Sequence, residues 1–238
     1  MTNSASCAAA EGLVEVQLRQ ATLADAPGIA RVHWLSWQAT YPGILPSAEI
    51  ERHTLANRIA NWHRMLLTPG LSTVIRVALC GDALIGFASG GAFRVEKVSC
   101  GAAAEPNPAL TDRGEAAGNE DGHGDGELNA LYLLPEWQGQ GIGRRLFDAC
   151  AHDLHAAGFG AMRCWVLHGN PALGFYERLG GVRVGSKTYA AEGAAVPEHC
   201  LRFTLPGAVW PARGLEALED PATHRPLVHP SALRCLSD

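Results

Sequence analysis

The hydrophobic residues between positions 128 and 167 follow patterns that predict a strand, a helix and a second strand. Leu128 to Leu134 form a short apolar run typical of a buried strand, and Pro135 ends it because proline cannot donate to a sheet ladder. Beyond the proline, apolar residues recur at every fourth position on one helical face, at Ile142, Leu146, Cys150 and Leu154. A second apolar run covers residues 161–167. Because a helical crossover joins the two runs, we expect these strands to be parallel.

Similar patterns on either side of this unit predict the remaining elements. Further strands are expected from alternating or apolar runs at residues 14–18, 73–79, 83–89, 182–189 and 199–205. Gly81-Asp82 is a typical turn for a hairpin between the second and third of these runs. Helices are expected in two segments, whose apolar positions are Ile29, Val32 and Trp37 in the first and Ile50, Leu55, Ile59 and Trp62 in the second. This order predicts an α/β fold with one mixed sheet and flanking helices.

The segment between the strand at 128–134 and its helix, Gln138 to Arg144, places three glycines in alternation at a helix start. The first N–H groups of a helix have no partner within it, and the helix dipole adds partial positive charge there. Glycines lack a Cβ and therefore let a bulky anion approach the backbone closely. The pattern predicts a phosphate or pyrophosphate site, with Arg144 and Arg145 adding charge at its rim.

Three phosphate-binding patterns can be compared with this turn. A P-loop requires GxxxxGK[ST], and the turn contains no lysine. A dinucleotide fingerprint requires Gly or Ala where this chain has Arg144, and an acidic residue about twenty positions later, where it has residues 163–165, Arg-Cys-Trp. The third pattern, (Q/R)xxGx(G/A), is met by Gln138, Gly141 and Gly143. An ordinary tight turn between strand and helix is the alternative interpretation.

A second motif follows the strand predicted at residues 161–167. It consists of Asn170 and then Phe175-Tyr176-Glu177-Arg178 on a short helix, with Gly180 after it. In their order and separation the two motifs resemble those of the GCN5-related N-acetyltransferases, the GNAT family, although the spacing from Asn170 to Tyr176 is one residue shorter than in many members. The resemblance covers roughly residues 14–205 and implies that family's fold, a mostly antiparallel sheet with one parallel, splayed strand pair.

The resemblance implies that acetyl-CoA binds along the fourth strand and the glycine turn. Backbone groups of Leu131 and Leu133 would pair with the pantetheine arm like an added strand. The acetyl group would lie where the parallel strands splay, and a backbone N–H there would stabilise the tetrahedral oxyanion. The residues implied in cofactor binding are Leu131, Leu133, Gln138, Gly139, Gln140, Gly141, Ile142, Gly143, Arg144, Asn170 and Tyr176.

The same resemblance implies catalytic and acceptor-binding residues. Tyr176 matches the general acid that protonates the departing CoA sulfur, or is alternatively an aromatic packed on its short helix. Glu127 lies where members often place a catalytic carboxylate that acts directly or through water, or is alternatively the last acid of an acidic segment. His33 and Tyr41 lie in the segment that forms the acceptor pocket in relatives. Asn170 has an alternative role as a helix N-cap.

Together these residues imply an N-acetyltransferase that moves the acetyl group of acetyl-CoA to a primary amine by direct attack in a ternary complex. The acceptor would be a small molecule or a peptide with an amine. The resemblance does not name it, because variable helices and loops build the acceptor pocket. Two alternatives stay open: an acyltransferase that uses another acyl-CoA or a hydroxyl acceptor, and a non-catalytic CoA-binding sensor. We expect a monomer or a homodimer.

Composition divides the 238-residue chain into one domain and three less regular segments. Residues 1–12 are expected to be a loose tail, residues 13–206 the acetyltransferase domain, and residues 207–238 a proline-containing extension. Within the domain, residues 100–126 are rich in glycine, alanine, proline and acids and offer little to bury. They predict a disordered loop between the third and fourth strands.

Charge and cysteine usage exclude several other classes of protein. A net charge of −5 and a pI near 6.0 argue against a nucleic-acid or anionic-membrane partner. The seven cysteines are scattered without a CxxC pair, which is typical of reduced thiols in the cytoplasm. The sequence shows neither an apolar run of membrane-spanning length nor a signal-peptide pattern at its start. His152 and His155 share a helix face without a third ligand, so no metal site is expected.

Overall fold

The computed structural model describes residues 15–70, 72–93 and 124–205 of the chain. Within them, seven strands form one sheet in the order β1-β2-β3-β4-β5-β7-β6. The strands are Val16–Gln20 (β1), Val74–Cys80 (β2), Ala83–Ala92 (β3), Gly126–Leu133 (β4), Ala161–Leu167 (β5), Val182–Ala191 (β6) and Ala194–Thr204 (β7). Neighbouring strands are antiparallel except β4 and β5, whose parallel pairing confirms the prediction from the crossover helix.

The helices pack on both faces of this sheet. In the described residues they are Ala26–Thr40 (α1), Ser47–Arg52 (α2), Leu55–Leu67 (α3), Ile142–Ala156 (α4) and Leu173–Arg178 (α5). One face is covered by α1 and α3, whose Ile29, Val32 and Trp62 form a cluster with β2 and β3. The other face is covered by α4, and the residues predicted to form its apolar stripe are all buried there.

β4 contains an irregularity that changes the face to which its side chains point. The register between β3 and β4 skips Asn129, which produces a β-bulge. As a result Leu128 and Leu131, three positions apart, both pack into the cluster around α4. Ala130 and Tyr132 pack on the opposite face, against the cluster formed by α1 and α3.

The parallel pair at the centre of the sheet diverges soon after it forms. In the described residues the β4–β5 ladder consists of two pairs, Gly126 with Met162 and Glu127 with Arg163. By contrast, β5 pairs with β7 along its full length, from Ala161 to Leu167. The gap that opens between β4 and β5 is the splay expected from the family resemblance.

One helix expected from the sequence is two helices in the structure. The apolar residues from Ile50 to Trp62 predicted a single helix beginning near Ser47. Instead α2 ends at Arg52, and a new helix begins after Thr54, whose Oγ1 accepts a hydrogen bond of 3.2 Å from the N–H of Asn57. A threonine N-cap therefore starts α3 where the hydrophobic spacing alone showed no break.

The loop predicted over residues 100–126 ends earlier than expected. Gly126 is the first residue of β4, and Asp125 is buried between two arginines. Its carboxylate accepts hydrogen bonds from Arg163 Nε at 2.6 Å and Arg202 Nε at 3.1 Å. From the sequence, Asp125 was assigned to the loop because the segment is rich in acidic residues, and its buried ion pairs with Arg163 and Arg202 were not predicted. Residues 100–123 of the predicted loop and the predicted segments 1–12 and 207–238 lie outside the described residues.

A buried carboxylate fixes α2 against the β6–β7 hairpin. Glu49 is 0% exposed and accepts hydrogen bonds from Arg52 Nη2 and the Tyr189 hydroxyl, both at 2.7 Å. The N–H of Glu192, in the turn of the hairpin, donates to the same carboxylate at 3.1 Å. Burial alone would raise the pKa of Glu49, but these hydrogen bonds outweigh it and lower the pKa to about 2. The carboxylate is therefore ionised and fully bonded.

The described residues contain neither a membrane-spanning helix nor a cluster of metal-binding side chains. None of the helices there has the length and apolar character needed to cross a membrane. In the same part of the chain, no group of three or more His, Cys, Asp or Glu side chains is arranged to hold a metal ion.

Candidate active site

A cavity of about 500 Å³ occupies the gap between β4 and β5. It extends from the glycine turn before α4, past α5, to the C-terminal half of α1. Its lining residues are Ser36, Thr40, Tyr41, Leu128, Asn129, Ala130, Leu131, Tyr132, Leu133, Gln138, Gly139, Gly141, Gly143, Arg144, Cys164, Trp165, Val166, Asn170, Pro171, Ala172, Phe175, Tyr176 and Arg178. This set includes most of the site residues predicted from the sequence. A more open depression between α2 and α3 is lined by none of them.

The side of the cavity formed by residues 138–144, here called the turn wall, is shaped by backbone conformation. Gly139 and Gly141 have φ angles of 75° and 78°, in the left-handed region that glycine adopts without strain. Gly141 is the N-cap of α4, so the free N–H groups of the first helical turn begin there. Gln138 Nε2 donates to the carbonyl of Leu133 at 3.0 Å and fixes the turn to the end of β4.

Gly143 differs from the other two glycines of the turn. It lies inside α4, and a Cβ added there would be 3.7 Å from the Phe175 ring, an ordinary contact. The protein alone would therefore accept alanine at this position, in agreement with the (G/A) of the motif. Any larger side chain would extend toward the cavity that Gly143 lines.

Tyr176 and Asn170 enter the cavity from α5 and the loop before it. Tyr176 is 8% exposed and packs against Phe175 and Phe203, with ring centroids 5.2 and 6.4 Å away. Burial raises the pKa of its hydroxyl well above the ordinary value, so the group is protonated at neutral pH. Asn170 Oδ1 accepts a hydrogen bond of 2.9 Å from the N–H of Ala172. Asn170 therefore bonds the backbone at the start of α5 and also lines the cavity.

Four predicted site residues do not line the cavity. Ile142 is a core residue of α4, and Gln140 is exposed, with Nε2 bonded to the carbonyl of Glu136 at 3.3 Å. Glu127 lies in the short β4–β5 ladder, just before the first lining residue of β4. Its charge contributes to a raised pKa at Cys164, a lining residue, after the larger effect of burial. Glu127 therefore lies beside the cavity, at the point where β4 still pairs with β5.

His33, the fourth of these residues, lies in an aromatic cluster one layer behind the cavity. Its ring centroid is 4.7 Å from that of Tyr132, which does line the cavity. Arg58 Nη1 and Trp62 Nε1 lie 2.8 and 3.2 Å from its two ring nitrogens. Burial, together with the charge of Arg58, lowers the pKa of His33 to about 2. The imidazole is therefore neutral and does not reach an acceptor in the cavity directly.

The opposite end of the cavity, here called the α1 wall, consists of Ser36, Thr40 and Tyr41 with Tyr132 of β4. The Tyr41 and Tyr132 hydroxyls share a hydrogen bond of 3.2 Å, and Trp37 Nε1 donates to Tyr132 at 2.9 Å. Of these residues only Tyr41 was expected from the sequence. Ser36 and Thr40 are four positions apart and so share a face of α1. The spacing is visible in the sequence, but only the structure shows that this face meets the cavity.

Comparisons with known proteins agree with this geometry. A sequence model described as an acetyltransferase (GNAT) domain matches residues 73–180. The uncharacterized N-acetyltransferase YuaI of Bacillus subtilis strain 168 is 31% identical over 183 residues, which are 77% of this chain and 90% of that protein.

Solved structures show the same fold at low sequence identity. PaiA N-acetyltransferase from Thermoplasma acidophilum, in complex with coenzyme A, has a TM-score of 0.51 and 19% identity, covering 80% of this chain and 99% of its own. YncA from Salmonella typhimurium, with acetyl-CoA, has a TM-score of 0.54 and 17% identity, covering 82% and 97%. With a curated relative that is 31% identical over most of its length, the chain belongs to the GNAT family of acetyltransferases.

Proposed function

We propose that this protein transfers the acetyl group of acetyl-CoA to a primary amine by direct attack in a ternary complex. The observation that best supports the proposal is the single cavity that joins the glycine turn, the gap between β4 and β5, and Tyr176. A thioester held along this cavity would have its phosphates at one end and its acetyl group in the gap. The α1 wall would then receive the acceptor.

The turn wall fits a pyrophosphate in shape and charge. Gly139 and Gly141 hold the left-handed turn, and the N–H groups that open α4 are free to donate to phosphate oxygens. Arg144 and Arg178 also line the cavity and would add charge-assisted contacts. Along β4, backbone groups of Leu131 and Leu133 would pair with the pantetheine arm as an added strand would.

Two side chains would manage the protons. Tyr176 would donate a proton to the departing CoA thiolate, because its buried hydroxyl stays protonated across the working pH range. Glu127 would accept the proton of the attacking amine through water, since it is not itself a lining residue. A backbone N–H in the gap between the parallel strands would stabilise the oxyanion formed by the attack.

The experiment that tests this proposal is Tyr176→Phe, with release of CoA thiol as the readout. The substitution keeps the ring among Phe175 and Phe203 and removes only the hydroxyl. We expect kcat to fall on the order of 10²-fold while the KM for acetyl-CoA changes little. An unchanged kcat in a variant that merely melts earlier would make Tyr176 a packing residue and leave the proton to solvent.

A further inference from the structure

Two buried side chains at or near the α1 wall, Ser36 and Arg58, have polar atoms without a hydrogen-bond partner among the described residues. Ser36 is 4% exposed, lines the cavity, and its Oγ has no partner there. Arg58 is 6% exposed, and its Nε and Nη2 have no partner among the described residues. Buried polar atoms are nearly always bonded, so each such exception requires an explanation.

Arg58 is also a buried cation that no carboxylate in the described part of the chain neutralises. Its Nη1 contacts the neutral ring of His33, and its guanidinium carbon lies 4.4 Å from the centre of the Trp37 ring. Burial lowers the pKa of Arg58, yet a guanidinium of ordinary pKa 12.5 remains charged at neutral pH. An unpaired buried charge is costly, and an anion nearby would offset part of the cost through electrostatic attraction.

The charge of Arg58 lies one aromatic layer behind the α1 wall. The Trp37 ring that covers the guanidinium is 4.8 Å from the Tyr41 ring, and its Nε1 bonds the Tyr132 hydroxyl. Tyr41 and Tyr132 both line the cavity. A group bound at this end would therefore feel the positive charge across a short, poorly solvated distance.

The rest of the lining offers nothing that would attract a second positive charge. Among the residues that line the cavity none is Asp or Glu, and its two arginines, Arg144 and Arg178, are the ones proposed to contact the phosphates. An acceptor such as a polyamine, with several ammonium groups, would meet no counter-charge on these walls. An acceptor with an anionic group would complement them.

We propose that the acceptor is a primary amine that also carries an anionic group, such as the carboxylate of an amino acid, and that this group binds at the α1 wall. The carboxylate accepts a hydrogen bond from Ser36 and is attracted by Arg58, which orients the amine toward the gap between β4 and β5. The inference rests on the proposed acetyl transfer. Attraction across the Trp37 layer corresponds to about tenfold in affinity.

The test compares acceptors that share a side chain and differ in whether they carry a carboxylate or a neutral amide. Full-length protein, with and without saturating CoA, is titrated calorimetrically at neutral pH with leucine, serine and glutamine, each beside its own primary amide, and with spermidine. We expect the acids to bind about tenfold more tightly than their amides. In Arg58→Met this preference falls several-fold, to the part that the Ser36 hydrogen bond supplies, while amide binding is kept. Arg64→Met, which removes an exposed arginine of the same helix, serves as the control and keeps the preference.

Ser36→Ala provides a second variant that changes little volume. It should weaken binding of the acids about tenfold and affect the amides less, because the lost hydrogen bond is to a charged group. Three results would each overturn the inference. The amides or spermidine could bind as tightly as the acids, none of the acids could bind, or the preference for acids could be as large in Arg58→Met as in the parent. Acids that bind but are never acetylated would instead contradict the proposed function.

Discussion

The two ends of the cavity are built by different means. The turn wall uses backbone N–H groups exposed by Gly139 and Gly141, whereas the α1 wall uses side chains that converge from α1 and β4. A backbone site requires glycine at fixed spacing, so it leaves a pattern in the sequence. A side-chain site requires only that distant positions meet, so it leaves none. This difference explains why one end was identified from spacing and the other from the structure.

A second contrast separates two buried charges, Glu49 of α2 and Arg58 of α3. Glu49 has hydrogen-bond partners on α2, β6 and the β6–β7 turn, and its charge is satisfied within the protein. Arg58 keeps two nitrogens without partners among the described residues. We interpret Glu49 as a group that maintains the fold and Arg58 as a group kept for a ligand. The experiments below test both contrasts.

The largest effect is expected from adding a charge to the turn wall. Gly143→Asp places a carboxylate where the pyrophosphate is proposed to bind, so affinity for CoA should fall by roughly 100-fold or more. Gly143→Ala is the matched control, because its Cβ would make only an ordinary contact with Phe175. Titration calorimetry with CoA measures both variants, and equal affinities in parent and Gly143→Asp would refute the assignment of the turn wall.

Removing the charge of Glu49 should reduce stability rather than binding. Glu49→Gln leaves Arg52 and the Tyr189 hydroxyl without their carboxylate, and the Tm should fall by roughly 10 °C. Glu51→Gln, an exposed acid on the same helix, should leave the Tm unchanged. Thermal melts followed by circular dichroism compare the two. A small effect at Glu49 would mean that the hairpin does not depend on it.

The same carboxylate predicts a direction of pH dependence. Its pKa is about 2 in the folded protein against an ordinary 4.5, so its stabilisation is complete above the ordinary value and is lost as pH falls through the folded one. The stability difference between parent and Glu49→Gln should therefore shrink as pH is lowered from about 5 toward 2. Urea unfolding at a series of pH values measures it, and a constant difference would exclude the linkage.

The smallest effect is expected for Arg58, if its charge serves a ligand. Arg58→Met removes an incompletely bonded buried cation and keeps an unbranched apolar chain against Trp37. The Tm should stay within about 2 °C of the parent or rise. Arg64→Met again provides the control for loss of one positive charge on α3. A large drop would show that Arg58 stabilises the fold as Glu49 does.

Much of the fold could be predicted because local sequence determines it. The spacing from Ile142 to Leu154 located α4, and the apolar run at residues 161–167 gave β5 with its observed bounds. The break between α2 and α3 was missed because the hydrophobic spacing runs through it, and only the bond from Asn57 to Thr54 shows it. The role of Asp125 was missed because its partners, Arg163 and Arg202, come from β5 and β7.

In the candidate site, too, residues in local motifs were predicted and residues brought together by tertiary packing were not. Two motifs located Gln138, the turn glycines and Tyr176, all of which line the cavity. The α1 wall was less predictable, since Ser36 and the neighbouring Arg58 are ordinary helix residues until tertiary packing brings them close to β4. His33 was expected on the cavity wall, but packing against Trp62 and Tyr132 places it behind.

The short ladder between β4 and β5 has a mechanical consequence. The sheet is in effect two half-sheets, β1–β4 and β5–β7, which share two residue pairs at one end and separate toward the other. A bound molecule whose backbone-like arm bonds to β4 would bridge the open end as an extra strand does. Binding would then stiffen the whole sheet, and the protection of the Leu131 and Leu133 amides against hydrogen exchange would rise with CoA concentration. In this molecule a bound cofactor would hold the two halves of the sheet together, and its release would let them separate again.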